Sequence, residues 1–222
     1  FSIIPLTSKL QGEPTPFVPF RDGGIAVHEG QLRVVPFASL SAVQGLKGDL
    51  LAAQRSPLPL AVRVSSENSI IVRGEATTGV AVHPLTGDGD YIYLGKGDIA
   101  ATDGLSAVID GTMPDWLAAR LAKDVQDLTA QLSERWGFAM SEPLTLMAAY
   151  KGGDGRGLSA ESSASGASLM LELGGAGLSQ PNSDTLAYLH WFIARSLMPL
   201  YQTESGAILG GPSSGWIHKG GA

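Results

Sequence analysis

Residues 110–137, DGTMPDWLAARLAKDVQDLTAQLSERWG, divide the chain into two characters. Within them Trp116, Leu117, Leu121, Val125, Leu128 and Leu132 recur at the 3.6-residue period of an amphipathic helix. Pro114 and Asp115 suit a first turn, where proline loses no hydrogen bond and a carboxylate meets the positive end of the helix dipole. Gly137 is the stop signal. The spacing predicts a helix from Pro114 to Arg135.

Beyond this helix, Leu144–Tyr150 reads as a strand, Lys151 to Gly166 as a Gly/Ser-rich loop, and Ala167–Leu173 as a second strand. A further loop leads to Ser183 or Asp184, the expected cap of a helix running to about Pro199. Its apolar face is Leu186, Leu189, Ile193 and Leu197, with His190 and Ala194 beside it. Helix, strand, loop, strand, helix is an α+β order.

Before the helix the chain reads as β. Short apolar runs at Ile25–Val27, Leu32–Pro36, Leu60–Val64, Ile70–Arg73, Val80–Pro84 and Tyr91–Leu94 alternate with turn signals. The breaks are Asp22-Gly23-Gly24, Ser65-Ser66-Glu67-Asn68, Gly87-Asp88-Gly89-Asp90 and Asp103-Gly104. That spacing suits a sandwich or curled sheet. Residues Ala38 to Arg55 interrupt it with near-helical leucines, weakened by two glycines. Two units are expected, a β-rich domain over 1–111 and an α+β domain over 112–222.

The totals bound the function. A chain of 222 residues, 44% hydrophobic and 16% charged, is globular in composition and long enough for a core. A formal charge of -6 with no basic run argues against nucleic acid. No apolar stretch approaches the roughly 20 residues of a membrane helix. With no cysteine there is no disulfide, thiolate metal site or thiol nucleophile. That absence leans towards an exported bacterial protein, although Phe1 is not followed by the basic and apolar regions of a signal peptide.

Four strings then fall in an order that resembles the gluzincin metallopeptidases, the aminopeptidase N-like and glycyl-aminopeptidase-like families. Trp136-Gly137-Phe138 resembles the aromatic-Gly helix end, and Gly157-Leu158-Ser159-Ala160-Glu161-Ser162 sits where a Gly-x-Met-Glu-Asn-type motif belongs. Ser168-Leu169-Met170-Leu171 follows as a strand, and Leu189-His190-Trp191-Phe192-Ile193-Ala194 takes the place of the His-Glu-x-x-His helix. Gly215-Trp216-Ile217-His218-Lys219-Gly220 stands for the Trp-x-x-Glu-Gly string. The resemblance covers about residues 91–222. It implies a β-rich domain followed by the start of a thermolysin-like zincin domain, with a further helix and a transition-state-stabilising Tyr beyond Ala222.

The same resemblance implies lost chemistry. A catalytic zinc needs three protein ligands, two of them His at i and i+4, and a Glu as general base beside the first. Here His190 remains, Trp191 replaces the base, Ala194 the second ligand, and Lys219 the third. A Lys ammonium donates hydrogen bonds and has no lone pair for a metal. No catalytic residue, zinc or other cofactor is therefore expected.

Each remaining residue has two readings. His190 is a relic ligand or a half-buried helix histidine with a local partner. Glu161 would receive a substrate's α-amino group by resemblance, or is a solvated loop carboxylate. Trp191 and Phe192 line a filled cleft or belong to the core, and His218 joins His190 in an improvised metal site or does not. Gly211-Pro212-Ser213-Ser214-Gly215 has the form of a nucleophile elbow, yet only seven residues follow and none is acidic. Gly152-Gly153-Asp154-Gly155-Arg156-Gly157 lacks the spacing of a phosphate cradle. Asp88 and Asp90 read as turn residues, without the acidic ladder of a calcium loop.

The sequence thus predicts a non-catalytic, peptidase-like binding or assembly module within a longer exported protein, engaging a peptide or protein partner through Glu161, His190, Trp191 and His218. One alternative is an active zinc aminopeptidase whose ligands come from His190, His218, Glu161 or Glu204. Another is a purely structural β-rich module.

Overall fold

The computed structural model describes residues 15–32, 39–45, 47, 61–85, 89–102 and 104–205. The expected strand over 33–36, much of the near-helical segment 38–55, His218, Lys219 and the Gly-Pro-Ser-Ser-Gly loop lie outside the described residues.

Five strands form a first, wholly antiparallel sheet in the order β1-β2-β5-β3-β4. They are β1 (Phe17–Pro19), β2 (Ile25–His28), β3 (Ala61–Val72), β4 (Glu75–Pro84) and β5 (Tyr91–Gly95). A 3-10 turn (Glu29–Leu32) and a short helix, α1 (Leu40–Gly45), come between β2 and β3. Ser65–Asn68, expected as a break, lies inside β3, where a bulge between Ser66 and Ser69 shifts the register without ending the strand. The turn is at Arg73-Gly74, both left-handed (φ 48° and 75°), which joins β3 to β4 as a two-residue hairpin. That turn type favours Asn, Asp or Gly at its first position, and Arg there hides it from a sequence reading.

The second sheet has the order β6-β7-β8-β10-β9, from β6 (Ile99–Thr102), β7 (Leu105–Ile109), β8 (Leu144–Tyr150), β9 (Ser159–Ser165) and β10 (Ser168–Gly174). Its three central strands β7, β8 and β10 are parallel and its two outer strands antiparallel. A parallel neighbour cannot be reached by a tight turn. α2 (Asp115–Trp136) makes the crossover from β7 to β8, and α3 (Ser183–Glu204) follows β10. The change of sheet falls between Gly95 and Ile99, ahead of residue 111, because β7 of the β6–β7 hairpin pairs with β8, Leu105 with Leu144, thirty-nine positions later.

The expected loop 151–166 is a loop only as far as Leu158. Ser159–Ser165 pairs with β10 as an edge strand, and its run of serines and alanines carries no apolar period to announce it. α2 follows its expected bounds and ends where Gly137, left-handed at φ 75°, donates its N–H to Ser133 O. α3 departs at both ends. Asn182, not Ser183 or Asp184, accepts from Thr185 N at 2.9 Å, and the helix continues through Pro199 to Glu204.

β7, β8 and β10 are buried on both faces, as continuous apolar runs require. Leu144, Leu146, Leu169 and Leu171 meet Leu117, Leu121 and Val125 of α2 and Leu189, Ile193 and Leu197 of α3. The alternate residues Val108, Met147, Ala149 and Met170 meet Val18, Phe20, Ile71, Tyr91 and Tyr93 of the first sheet. The layers are first sheet, second sheet, helices. The β-rich part is therefore sandwiched against the second sheet rather than on itself. Each fully buried leucine in this arrangement contributes about 1.5–3 kcal/mol.

Candidate functional site

The 3.6-residue repeat of α3 turns Leu189, Ile193 and Leu197 inward and leaves Trp191 on the outside, 47% exposed. Arg195 lies over the Trp191 ring at 5.4 Å, and Tyr188 packs beside it with ring centroids 5.7 Å apart. Trp191 thus belongs to an outward aromatic patch, while Phe192 is core. His190 is half-buried between these faces, and its ring has no hydrogen-bond partner among the described residues. Ala194, packed against the helix-side core, brings no ligand atom.

Glu161 stands away from this helix. Along β9 the side chains alternate: Ser162 points to α3, where the Ser196 hydroxyl donates to it at 2.8 Å, and Ala160 and Ala164 pack on the helix-side core. Glu161, Ser163 and Ser165 therefore face the other way, and Ser165 reaches His28 of the first sheet at 3.2 Å. Glu161 lies opposite Glu172 of β10, and Lys151 Nζ bridges the two carboxylates at 3.1 Å each. The position that by resemblance receives a substrate ammonium holds one from this chain. Burial would lower the Lys151 pKa, but the hydrogen bond and charge of Glu172, then of Glu161, hold it above its ordinary value.

Glu204 is distant too. It lies at the far end of α3, fourteen residues and roughly 21 Å from His190 at 1.5 Å per residue. Its carboxylate accepts from Ser141 N at 3.2 Å. Of the described residues that an alternative zinc site would recruit, His190, Glu161 and Glu204 are not brought together.

A different group is. Glu29 follows β2 and Asp90 precedes β5, so the antiparallel pairing of these strands sets them side by side, with Glu29 N donating to Asp90 O at 2.8 Å, and His83, next to last in β4, joins them. All three are buried, and their ligand atoms lie within 4.8 Å of one another. His83 Nε2 is 2.8 Å from Glu29 Oε2. Asp90 Oδ2 accepts from Arg73 Nε at 2.7 Å, and its Oδ1 from Ala167 N at 3.1 Å and Ser168 Oγ at 3.3 Å. Burial would lower the Arg73 pKa, but Asp90 above all, with Glu142 and Glu29, holds it above its ordinary value.

An imidazole and two carboxylates are a donor set that suits zinc or a similar ion. Here each donor already has a partner, and a guanidinium sits on one carboxylate. A metal would have to displace Arg73 from Asp90 and the His83 ring from Glu29. As it stands, the group is a polar clasp: through Asp90 it ties the first sheet to the β9–β10 hairpin of the second.

Sequence reasoning missed this clasp. Asp90, read as a turn residue, is fully buried. The available signals were ionisable residues at strand ends, His28-Glu29 and His83, and an arginine in a turn that favours asparagine. No family profile matches the chain, and no curated protein does.

Proposed function

We propose that the chain is a non-catalytic binding or assembly module, built like the front of a gluzincin peptidase without its metal centre and engaging a peptide or protein partner of a longer, exported protein. Two long helices on one face of a mixed sheet, separated by parallel strands, support the resemblance carried by Trp136-Gly137-Phe138 and by the helix around His190.

One observation carries the non-catalytic reading. The helix at the resemblance's metal position offers His190 with Trp191 outward and Ala194 inward, while Glu161 occupies the opposite face of the sheet in an ion pair with Lys151. No water could be activated by that set, since a zinc-bound nucleophile needs three ligands and a base at one point. The outward aromatic patch of Tyr188 and Trp191 and the absence among the described residues of a helix able to cross a membrane suit a module that meets a partner in water.

Metal analysis of the purified protein tests this. The expected result is less than stoichiometric zinc, a melting temperature indifferent to a chelator, and no release of amine from aminoacyl anilides. One tightly held zinc per chain, with peptidase activity lost in His190→Ala, would overturn it.

A further inference from the structure

A cavity of about 530 Å³ opens where the three layers meet, between the β9–β10 hairpin, residues 140–142 after α2, and the last turns of α3. That is within the 300–1,000 Å³ of ordinary ligand pockets. Met140, Pro199 and Leu200 form its apolar wall, and Arg73, Glu142 and Glu204 its polar wall.

The charges are unequal. Arg73 is matched at 2.7 Å by Asp90, whose side chain is only 1% exposed. Glu142, half-exposed, touches Arg73 Nη1 only at 3.5 Å. Glu204 is neutralised by no cation among the described residues, and its carboxylate converges on Ser141, next to Glu142. With Arg73 and Asp90 cancelling, two carboxylates face the space.

A second, independent field has the same sign. α3 ends at this cavity, where Ser205 N and Oγ cap the carbonyls of Tyr201 and Gln202 but no basic side chain occupies the last turn, so the negative end of the helix dipole meets no opposing charge from the helix itself. An anion would meet both carboxylates and the negative helix end. A cation would be favoured by all three.

We infer that this cavity seats a basic side chain, an ammonium or guanidinium on an aliphatic stem, presented by a peptide or protein partner. The charged head lies between Glu142 and Glu204, and the stem runs along Met140, Pro199 and Leu200, as long basic side chains pack. The inference rests on the binding-module reading and gives it a location and a charge.

The test is a titration of the isotopically labelled full chain with N-acetyl-lysine amide, N-acetyl-norleucine amide and N-acetyl-glutamate amide, followed by NMR. Norleucine keeps the stem and removes the charge. The lysine amide should shift residues 140–142, 164–167 and 199–204 saturably, more weakly as salt is raised. The norleucine and glutamate amides should bind at least tenfold more weakly. The double variant Glu142→Gln, Glu204→Gln, which keeps the oxygen accepting from Ser141 N, should lose about tenfold in lysine-amide affinity, or about 1.4 kcal/mol. Equal binding of the norleucine amide, shifts elsewhere, no saturable shift, or an unaffected double variant would overturn the inference. The titration reads the cavity and the metal analysis reads the zinc, so either reading can fail while the other stands.

Discussion

Arg73 and Asp90 are joined at 2.7 Å across a backbone conformation that arginine rarely adopts, φ 48° at the first turn position between β3 and β4. A non-glycine residue in that region costs on the order of 1 kcal/mol or more. The buried carboxylate holds it there. Asp90 also accepts from Ala167 N and Ser168 Oγ, so its loss would strand donors in both sheets. Asp90→Ala should cost about 3 kcal/mol in urea unfolding at neutral pH. A loss under about 1 kcal/mol would mean that the clasp contributes little.

Gly166 and Gly137 are both left-handed, at φ 56° and 75°, yet their surroundings differ. A Cβ on Gly137 meets nothing within 4 Å, so Gly137→Ala should cost only the backbone strain, about 1 kcal/mol. A Cβ on Gly166 would overlap the Asp90 carboxylate and crowd Gly89 O. Gly166→Ala should therefore cost at least about 1 kcal/mol more than Gly137→Ala, since it adds a disrupted clasp to the same strain. Equal midpoints for the two variants in one denaturant series would contradict this.

Thr145 is fully buried on the face of β8 towards the first sheet, and its hydroxyl has no hydrogen-bond partner among the described residues. Valine has nearly the same shape without the polar atom. Thr145→Val should leave stability unchanged or raise it by about 1–2 kcal/mol, because an unmet hydroxyl is costly to bury. A clear drop in the melting temperature would show that the hydroxyl has a partner after all.

Tyr91 makes stability depend on alkaline pH. Burial above all, with the Glu172 charge adding and a Ser163 hydrogen bond opposing, pushes its phenol from 10.0 up to about 12. The raised value means that the folded state favours the protonated phenol, which donates to Thr15 O at 3.0 Å. Its contribution is fully present below pH 10 and is lost as pH rises through about 12, on the order of 2–3 kcal/mol in all. Urea midpoints between pH 9 and 12 should fall more steeply for the native chain than for Tyr91→Phe.

Leu121 lies at the centre of the helix-side core with no exposure. Leu121→Ala should cost about 2–5 kcal/mol, read as a lower denaturation midpoint with an unchanged slope. A cost near zero would mean that α2 is not packed as described.

How much of this was legible depended on the range of the interaction. α2 is announced by its own repeat from Leu117 to Leu132 and its own stop at Gly137, so both its existence and its end can be read locally. β8 and β10 are mostly apolar runs, broken by Thr145 in one and by Ser168 and Glu172 in the other, and are equally legible. β9 is an edge strand of serine and alanine around Glu161, with only Ala160 and Ala164 towards the core, and its pairing with β10 defines it. Pro199 is a misleading stop, because packing of Leu197, Leu200 and Tyr201 carries α3 through it. The clasp of Glu29, His83, Arg73 and Asp90 draws on residues up to sixty-one positions apart, and no local pattern relates them. His190 sits in a helix that the sequence located, whereas Glu161 sits in β9, which reads as loop, and the face of the sheet it takes is set by one-residue register, which a resemblance does not carry.

The middle layer also imposes an order on folding. Among the described residues, the apolar face of the first sheet, Val18, Phe20, Ile71, Tyr91 and Tyr93, is covered by Val108, Met147, Ala149 and Met170, with Ile99 at its margin. During synthesis those strands emerge first, and their cover follows only after α2 has carried the chain from β7 to β8 and the β9–β10 hairpin has closed. The first half of the chain must therefore wait, with its apolar face open to water or to other proteins, for the second half to be made. Of the two sheets, the one made earlier is the later to be sealed.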